Sequence, residues 1–130
     1  MESNRETIIY VDDVKFGLIT VKNMLKNRFK VFPAQSVAIL FDILEHVKPD
    51  LILLDVKIPG VNGYDAIKQL KGDVRYAGIP VVFVTSNSDH ESVQKSMSLG
   101  AAAHVNRPFS AQSLIETIES VLDFMKEGRR

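Results

Sequence analysis

Five short runs rich in β-branched and other apolar residues recur along the chain, and each is followed by a longer stretch with helical periodicity. This alternation restricts the fold more than any other feature. The runs are Thr7–Val11, Lys30–Ala34, Leu51–Leu54, Pro80–Val84 and Ala102–Val105. Between them, Leu18, Val21 and Leu25 fall at helical spacing, as do Val37, Leu40, Phe41 and Leu44. Tyr64, Ile67 and Leu70 step by three, Val93 and Met97 by four, and Leu114, Ile118, Val121, Leu122 and Met125 form the last and longest stripe. Boundary residues agree. Ser36 and Ser110 suit N-caps, Ser88 with Glu91 has the pattern of a capping box, and Gly100 suits the position just past a helix end. Pro49, Pro80 and Pro108 stand where a helix should not continue.

The order is therefore β-α repeated five times. Leu51–Leu54 is apolar on both faces, as a central strand is when helices cover both sides of a parallel sheet. Right-handed crossovers then give a doubly wound α/β sandwich. The residues alone leave the strand order open, and the first strand suits an edge as well as an interior place. In folds of this kind ligands bind beyond the C-terminal ends of the strands, so that rim is where chemistry is sought.

Composition narrows the functional classes. A chain of 130 residues, 45% of them apolar, suits one domain over residues 1–130 with its core at about 7–125. Lys and Arg total 16 and Asp and Glu total 16, which removes the basic excess that a nucleic-acid or anionic-membrane partner would want. The absence of cysteine excludes disulfides, thiol nucleophiles and cysteine-ligated zinc. His46, His90 and His104 lack zinc spacing. The polar start, Met1–Thr7, has no signal-peptide character and no run is long enough to span a membrane, so a soluble, cytoplasmic protein is expected.

The strand ends carry a biased set of residues. Asp12 and Asp13 follow the first, Asp55 the third, Thr85 and Ser86 the fourth, and Arg107 and Pro108 lie just beyond the fifth. Gathered at one rim, three carboxylates repel one another and call for a counter-charge or shifted pKa values. A hard divalent cation such as Mg²⁺, held by one or two carboxylates, waters and a phosphate oxygen, meets that need. The hydroxyl of Thr85 and the cation of Arg107 suit phosphoryl oxygens. This is the equipment of phosphoryl transfer, which works by positioning and charge neutralisation. Each residue also has a plainer reading. An aspartate after a strand is often only a helix N-cap, Thr85 has ordinary β-propensity, Arg107 suits a solvated loop, and His104 suits a partly buried strand position.

The ordered motifs Ile9-Tyr10-Val11-Asp12-Asp13, Asp55-Val56-Lys57-Ile58-Pro59-Gly60-Val61-Asn62-Gly63-Tyr64, Val84-Thr85-Ser86 and Gly100-Ala101 leading to Arg107-Pro108-Phe109 resemble those of response-regulator receiver domains. The resemblance runs from about Thr7 to Met125, and the Asp-x-x-x-Pro-Gly-x-x-Gly stretch is its most specific part. It implies a flavodoxin-like fold with strand order 2-1-3-4-5. Position by position, it implies that Asp55 is the phosphoacceptor and Asp13 the direct Mg²⁺ ligand, with Asp12 acting through water. The Lys57 main-chain carbonyl is implied as a further ligand, and Thr85 as the switch hydroxyl. The implied donor is a histidine kinase or phosphotransfer protein. No catalysis is implied beyond self-phosphorylation of Asp55 and its hydrolysis.

Three positions depart from the family pattern. Arg107 stands where lysine is usual, His104 where the aromatic switch residue is common, and Ser86 where a small residue often stands. Arginine keeps the charge but presents a planar fork, which is not equivalent at a phosphate site. With no residues after the fifth helix for an output domain, the expected output is protein–protein contact through the helix 4–strand 5–helix 5 surface. The sequence equally suits a domain cut from a longer chain. Two other readings stay open: a receiver-like interaction module that works without phosphorylation, and a flavodoxin-like cofactor binder or hydrolase. The second is opposed by Asp12 and Asp13, which would repel a flavin phosphate, and by Lys57, which stands where an aspartyl phosphatase wants a second acid.

Overall fold

The computed structural model describes residues 5–57, 62–86 and 90–128, the side chains of 90–92 apart. Its elements alternate strictly: β1 (Glu6–Val11), α1 (Lys15–Leu25), β2 (Phe29–Ala34), α2 (Val37–Leu44), β3 (Leu51–Asp55), α3 (Gly63–Lys71), β4 (Val81–Thr85), α4 (His90–Ser98), β5 (Ala103–Asn106) and α5 (Ala111–Glu127). The strands form one parallel sheet in the order β2-β1-β3-β4-β5, as the family resemblance implies. β1 is thus interior, and Ile8, Ile9, Tyr10 and Val11 are fully buried.

Alternation along the strands sorts the core into two layers. Ile8, Tyr10, Leu51, Leu53, Val82, Val84 and Val105 pack with Leu18, Val21 and Leu25 of α1 and Leu114, Ile118, Val121 and Leu122 of α5. Ile9, Val11, Ile52, Leu54, Val81 and Phe83 pack with Leu40 and Leu44 of α2 and Ala66, Ile67 and Leu70 of α3. Leu51–Leu54 and Val81–Val84 have no exposed surface, which is why their sequence shows no polar alternation.

Local signals decide the helix ends. The Ser36 hydroxyl accepts from the Ile39 N–H at 3.1 Å, and Ser110 forms a capping box with Ser113. Gly100 takes φ +100° just after α4, where a side chain would be strained. The expected cap at Ser88 lies outside the described residues. One stripe differs from the sequence expectation. In α4, Met97 is 47% exposed, and Ser96 is buried instead, so the inward face runs from Val93 to Ser96 at i, i+3. Among the described residues no helix is long and apolar enough to cross a membrane.

Candidate functional site

Parallel strands all point their C-terminal ends one way, so the polar residues that follow them meet at one rim. Residue parity then fixes the face. Asp12 follows the Ile8 and Tyr10 side of β1, Asp55 the Leu51 and Leu53 side of β3, and Arg107 the Ala103 and Val105 side of β5. All three therefore project toward the α1/α5 layer. Main-chain bonds hold the strand ends in place: the Asp12 N–H donates to Ala34 O at 3.0 Å, the Val56 N–H to Val84 O at 3.1 Å, and the Arg107 N–H to Thr85 O at 2.8 Å.

Asp12, Asp13 and Asp55 each offer a carboxylate oxygen, and these oxygens all lie within 4.8 Å of one another. Asp12 and Asp55 are buried and Asp13 is half-buried. They line an open cavity of about 460 Å³ together with Lys57, Ser86 and Arg107. Asp55 Oδ1 accepts the Lys57 N–H at 3.0 Å. Arg107 Nη2 lies 3.1 Å from Asp12 Oδ2 and 3.5 Å from Asp55 Oδ2, so one guanidinium spans two of the acids. Burial pushes the Asp55 carboxyl above its ordinary pKa, and the charges of Asp12 and Asp13 add to this. The Lys57 N–H and the Arg107 cation pull the other way without cancelling it.

Thr85 and His104 have the parity of the other sheet face. Thr85 is buried at the end of β4 with the parity of Phe83, on the α2/α3 side of the sheet. His104 is half-buried beside Phe83 in the β4–β5 register, on the same side as Thr85 and one pair of residues back from it. The loop from Ile58 to Val61, including the Pro59-Gly60 part of the motif, lies outside the described residues.

Two site residues, Tyr10 and Gly17, escaped the sequence analysis, and the structure gives the motif residue Gly63 its reason. Tyr10, which enters there only as part of a motif, puts its hydroxyl 2.6 Å from Asp12 Oδ2. Gly17 in α1 lies so close that a Cβ there would stand 2.5 Å from the same oxygen. At Gly63 a Cβ would come within 2.6 Å of Asp55 O and 2.8 Å of Val56 Cα, so glycine lets α3 start against the end of β3. Asn62 caps that helix, accepting from the Asp65 N–H at 2.9 Å. For Tyr10 a usable signal existed, since residues two apart on a strand share a face, and for Gly17 none did.

Comparison with known proteins agrees with this geometry. The family model described as the response regulator receiver domain matches residues 8–119. The chain belongs to the response regulator receiver family. It is 32% identical over 119 residues to sporulation initiation phosphotransferase F of Bacillus subtilis, covering 90% of this chain and 94% of that protein. It is 30% identical over 116 residues to protein PilH of Pseudomonas aeruginosa, covering 88% and 96%. The solved structure of the chemotaxis response regulator CheY4 of Vibrio cholerae superposes with a TM-score of 0.85 at 22% identity, covering 91% of this chain and 99% of that one. A receiver is a signalling module. Three hard oxygen donors this close suit a small divalent cation, so this receiver's donor set fits the Mg²⁺ that the family generally binds.

Proposed function

We propose that this receiver is a phosphoacceptor switch in which Asp55 takes a phosphoryl group from a histidine kinase or phosphotransfer protein. The observation that carries the reading is the rim itself, with three carboxylates within 4.8 Å and a guanidinium bridging two of them. In the transfer an Asp55 carboxylate oxygen attacks phosphorus. The bond from phosphorus to the donor nitrogen breaks, and the donor keeps that electron pair. Asp13, Asp55 and the Lys57 carbonyl would hold Mg²⁺, with Asp12 acting through water. The cation supplies charge neutralisation for a phosphoryl group placed among acids. Arg107 is a second counter-charge, able to move from Asp55 onto a phosphoryl oxygen.

Two further residues carry the signal outward in this reading. Thr85 moves its hydroxyl toward the phosphoryl group, and His104, on the same sheet face, turns inward behind it. The output partner is a protein docking on α4, β5 and α5, where Met97 is 47% and Phe124 72% exposed. Incubation with acetyl phosphate and Mg²⁺, followed by intact-mass measurement, should show the gain of one phosphoryl group, lost in Asp55→Asn. No gain, or a gain that survives Asp55→Asn, refutes the proposal. Thr85→Ala should keep the gain and lose phosphorylation-dependent partner binding.

A further inference from the structure

We propose that Tyr10 is a positioning residue whose hydroxyl locks Asp12 and Arg107 into one buried unit and so lowers the affinity of the acidic cleft for divalent cations. This rests on reading the cleft as a cation site and not on the phosphorylation step.

The three groups form a closed ring. The Tyr10 hydroxyl donates to Asp12 Oδ2 at 2.6 Å and accepts from Arg107 Nη2 at 3.1 Å. Arg107 Nη2 also donates to Asp12 Oδ2 at 3.1 Å. Packing does not require a hydroxyl at this position. Tyr10 is fully buried, and its neighbours across the strands, Leu53 on β3 and Pro33 on β2, carry no side-chain polar atom. Asp12 Oδ2 lies within hydrogen-bond distance of the hydroxyl, and a carboxylate can only accept, so the phenol is the donor.

The consequence for a cation follows from acceptor capacity and charge. A carboxylate offers about four lone-pair positions. On Asp12, Tyr10 and Arg107 fill both positions of Oδ2, and the Val14 N–H takes one of Oδ1 at 2.9 Å. One position is left for a water of a hydrated cation. The phenol also anchors Arg107 where its charge sits 3.1 Å from Asp12 and 3.5 Å from Asp55, so an arriving cation must displace a resident one. An apolar residue at position 10 would open Oδ2 and leave the guanidinium free to swing out. Tyr10 therefore acts on the cleft through Asp12 and Arg107 and does not touch the cation itself.

Mn²⁺ serves as the probe, its free concentration read from the electron paramagnetic resonance signal. It is titrated into wild type, Tyr10→Phe, Arg107→Gln and the double variant, with circular dichroism confirming the fold. Tyr10→Phe should bind Mn²⁺ about tenfold more tightly, the scale of one charge-assisted hydrogen bond. Arg107→Gln should also bind more tightly. The double variant should fall short of the product of the two effects, because Tyr10 works partly through Arg107. Unchanged or weaker binding in a folded Tyr10→Phe overturns the inference, and so do fully independent effects. General damage to the site would weaken binding, so tightening is a readout that a merely structural role does not produce. If Tyr10→Phe does not fold, Tyr10→Leu takes its place with the same expectation. Binding by wild type with no change in the variants sinks this inference alone. Failure of all four proteins to bind Mn²⁺ sinks both it and the cation-site reading.

Discussion

Replacing Gly17 by alanine sets two effects of opposite sign against each other, and the structure decides which wins. Gly17 lies within α1, where alanine is favoured over glycine by about 0.8–1.0 kcal/mol. Propensity alone therefore says that Gly17→Ala stabilises. The new Cβ, however, would stand 2.5 Å from Asp12 Oδ2 and 3.3 Å from its Cγ. Ordinary contact begins at 3.4 Å, so Oδ2 or α1 must yield by about 0.9 Å. Oδ2 is the oxygen held by the Tyr10 hydroxyl at 2.6 Å and by Arg107 at 3.1 Å. A retreat of that size breaks one bond or strains both. A hydrogen bond to a charged group contributes about 1.5–3 kcal/mol, and a carboxylate left short of partners costs more. The clash outweighs the propensity gain, and Gly17→Ala should lose about 1–2 kcal/mol, lowering Tm by roughly 4 °C for each kcal/mol. Urea unfolding followed by circular dichroism near neutral pH measures it. In a Tyr10→Phe background Oδ2 is less constrained, so the same substitution should cost clearly less. A Gly17→Ala protein as stable as wild type, or more stable, refutes the claim that Asp12 is held in place by its partners.

The remaining predictions concern charge and packing. Asp55 has a raised pKa chiefly through burial, so the folded state binds its proton more readily than the unfolded state does. Its stabilising contribution is full below the ordinary carboxylate pKa and is lost as pH rises through the raised value. Asp55→Asn removes the buried charge and keeps an acceptor for the Lys57 N–H, so it should raise Tm by about 2–5 °C near neutral pH. In thermal melts that gap should close on acidification toward about pH 4, and a gap that widens instead refutes the assignment. Leu54→Ala removes a fully buried side chain in the layer between the sheet and α2 and α3, and should cost about 2–5 kcal/mol in urea unfolding.

What the sequence disclosed and what it withheld have physical reasons. Leu51–Leu54 and Val81–Val84 could be recognised as central strands because full burial on two faces demands an unbroken apolar run. Asp12, Asp13, Asp55 and Arg107 could be placed at one rim because a parallel sheet directs every strand end the same way. Strand order needed the family resemblance, since backbone pairing leaves little trace in residue type. The α4 stripe was read from Val93 to Met97, but a short helix over a sheet edge buries a narrow strip, and the small Ser96 occupies it. Gly17 stayed hidden because close approach between elements is a property of packing that no local pattern records.

Arg107 shows how tertiary structure completes a local reading. In sequence it is a cation just beyond the fifth strand, placed at the acidic rim, with a solvated loop as the plainer reading. In the fold, the Arg107 N–H bonded to Thr85 O pins the backbone to the end of β4, and the parity of β5 turns the side chain toward β1. The guanidinium then lies over the two buried acids and against the Tyr10 phenol. The stretches leading to those acids, Ile8–Val11 and Leu51–Leu54, are fully buried, so the acids cannot separate to relieve their repulsion. A cation must come to them, and in this chain one is built in. On the proposed reading of this rim, a metal ion or phosphoryl group entering the cleft would meet Arg107 already in place, and the partners that hold that side chain would then bear on what binds.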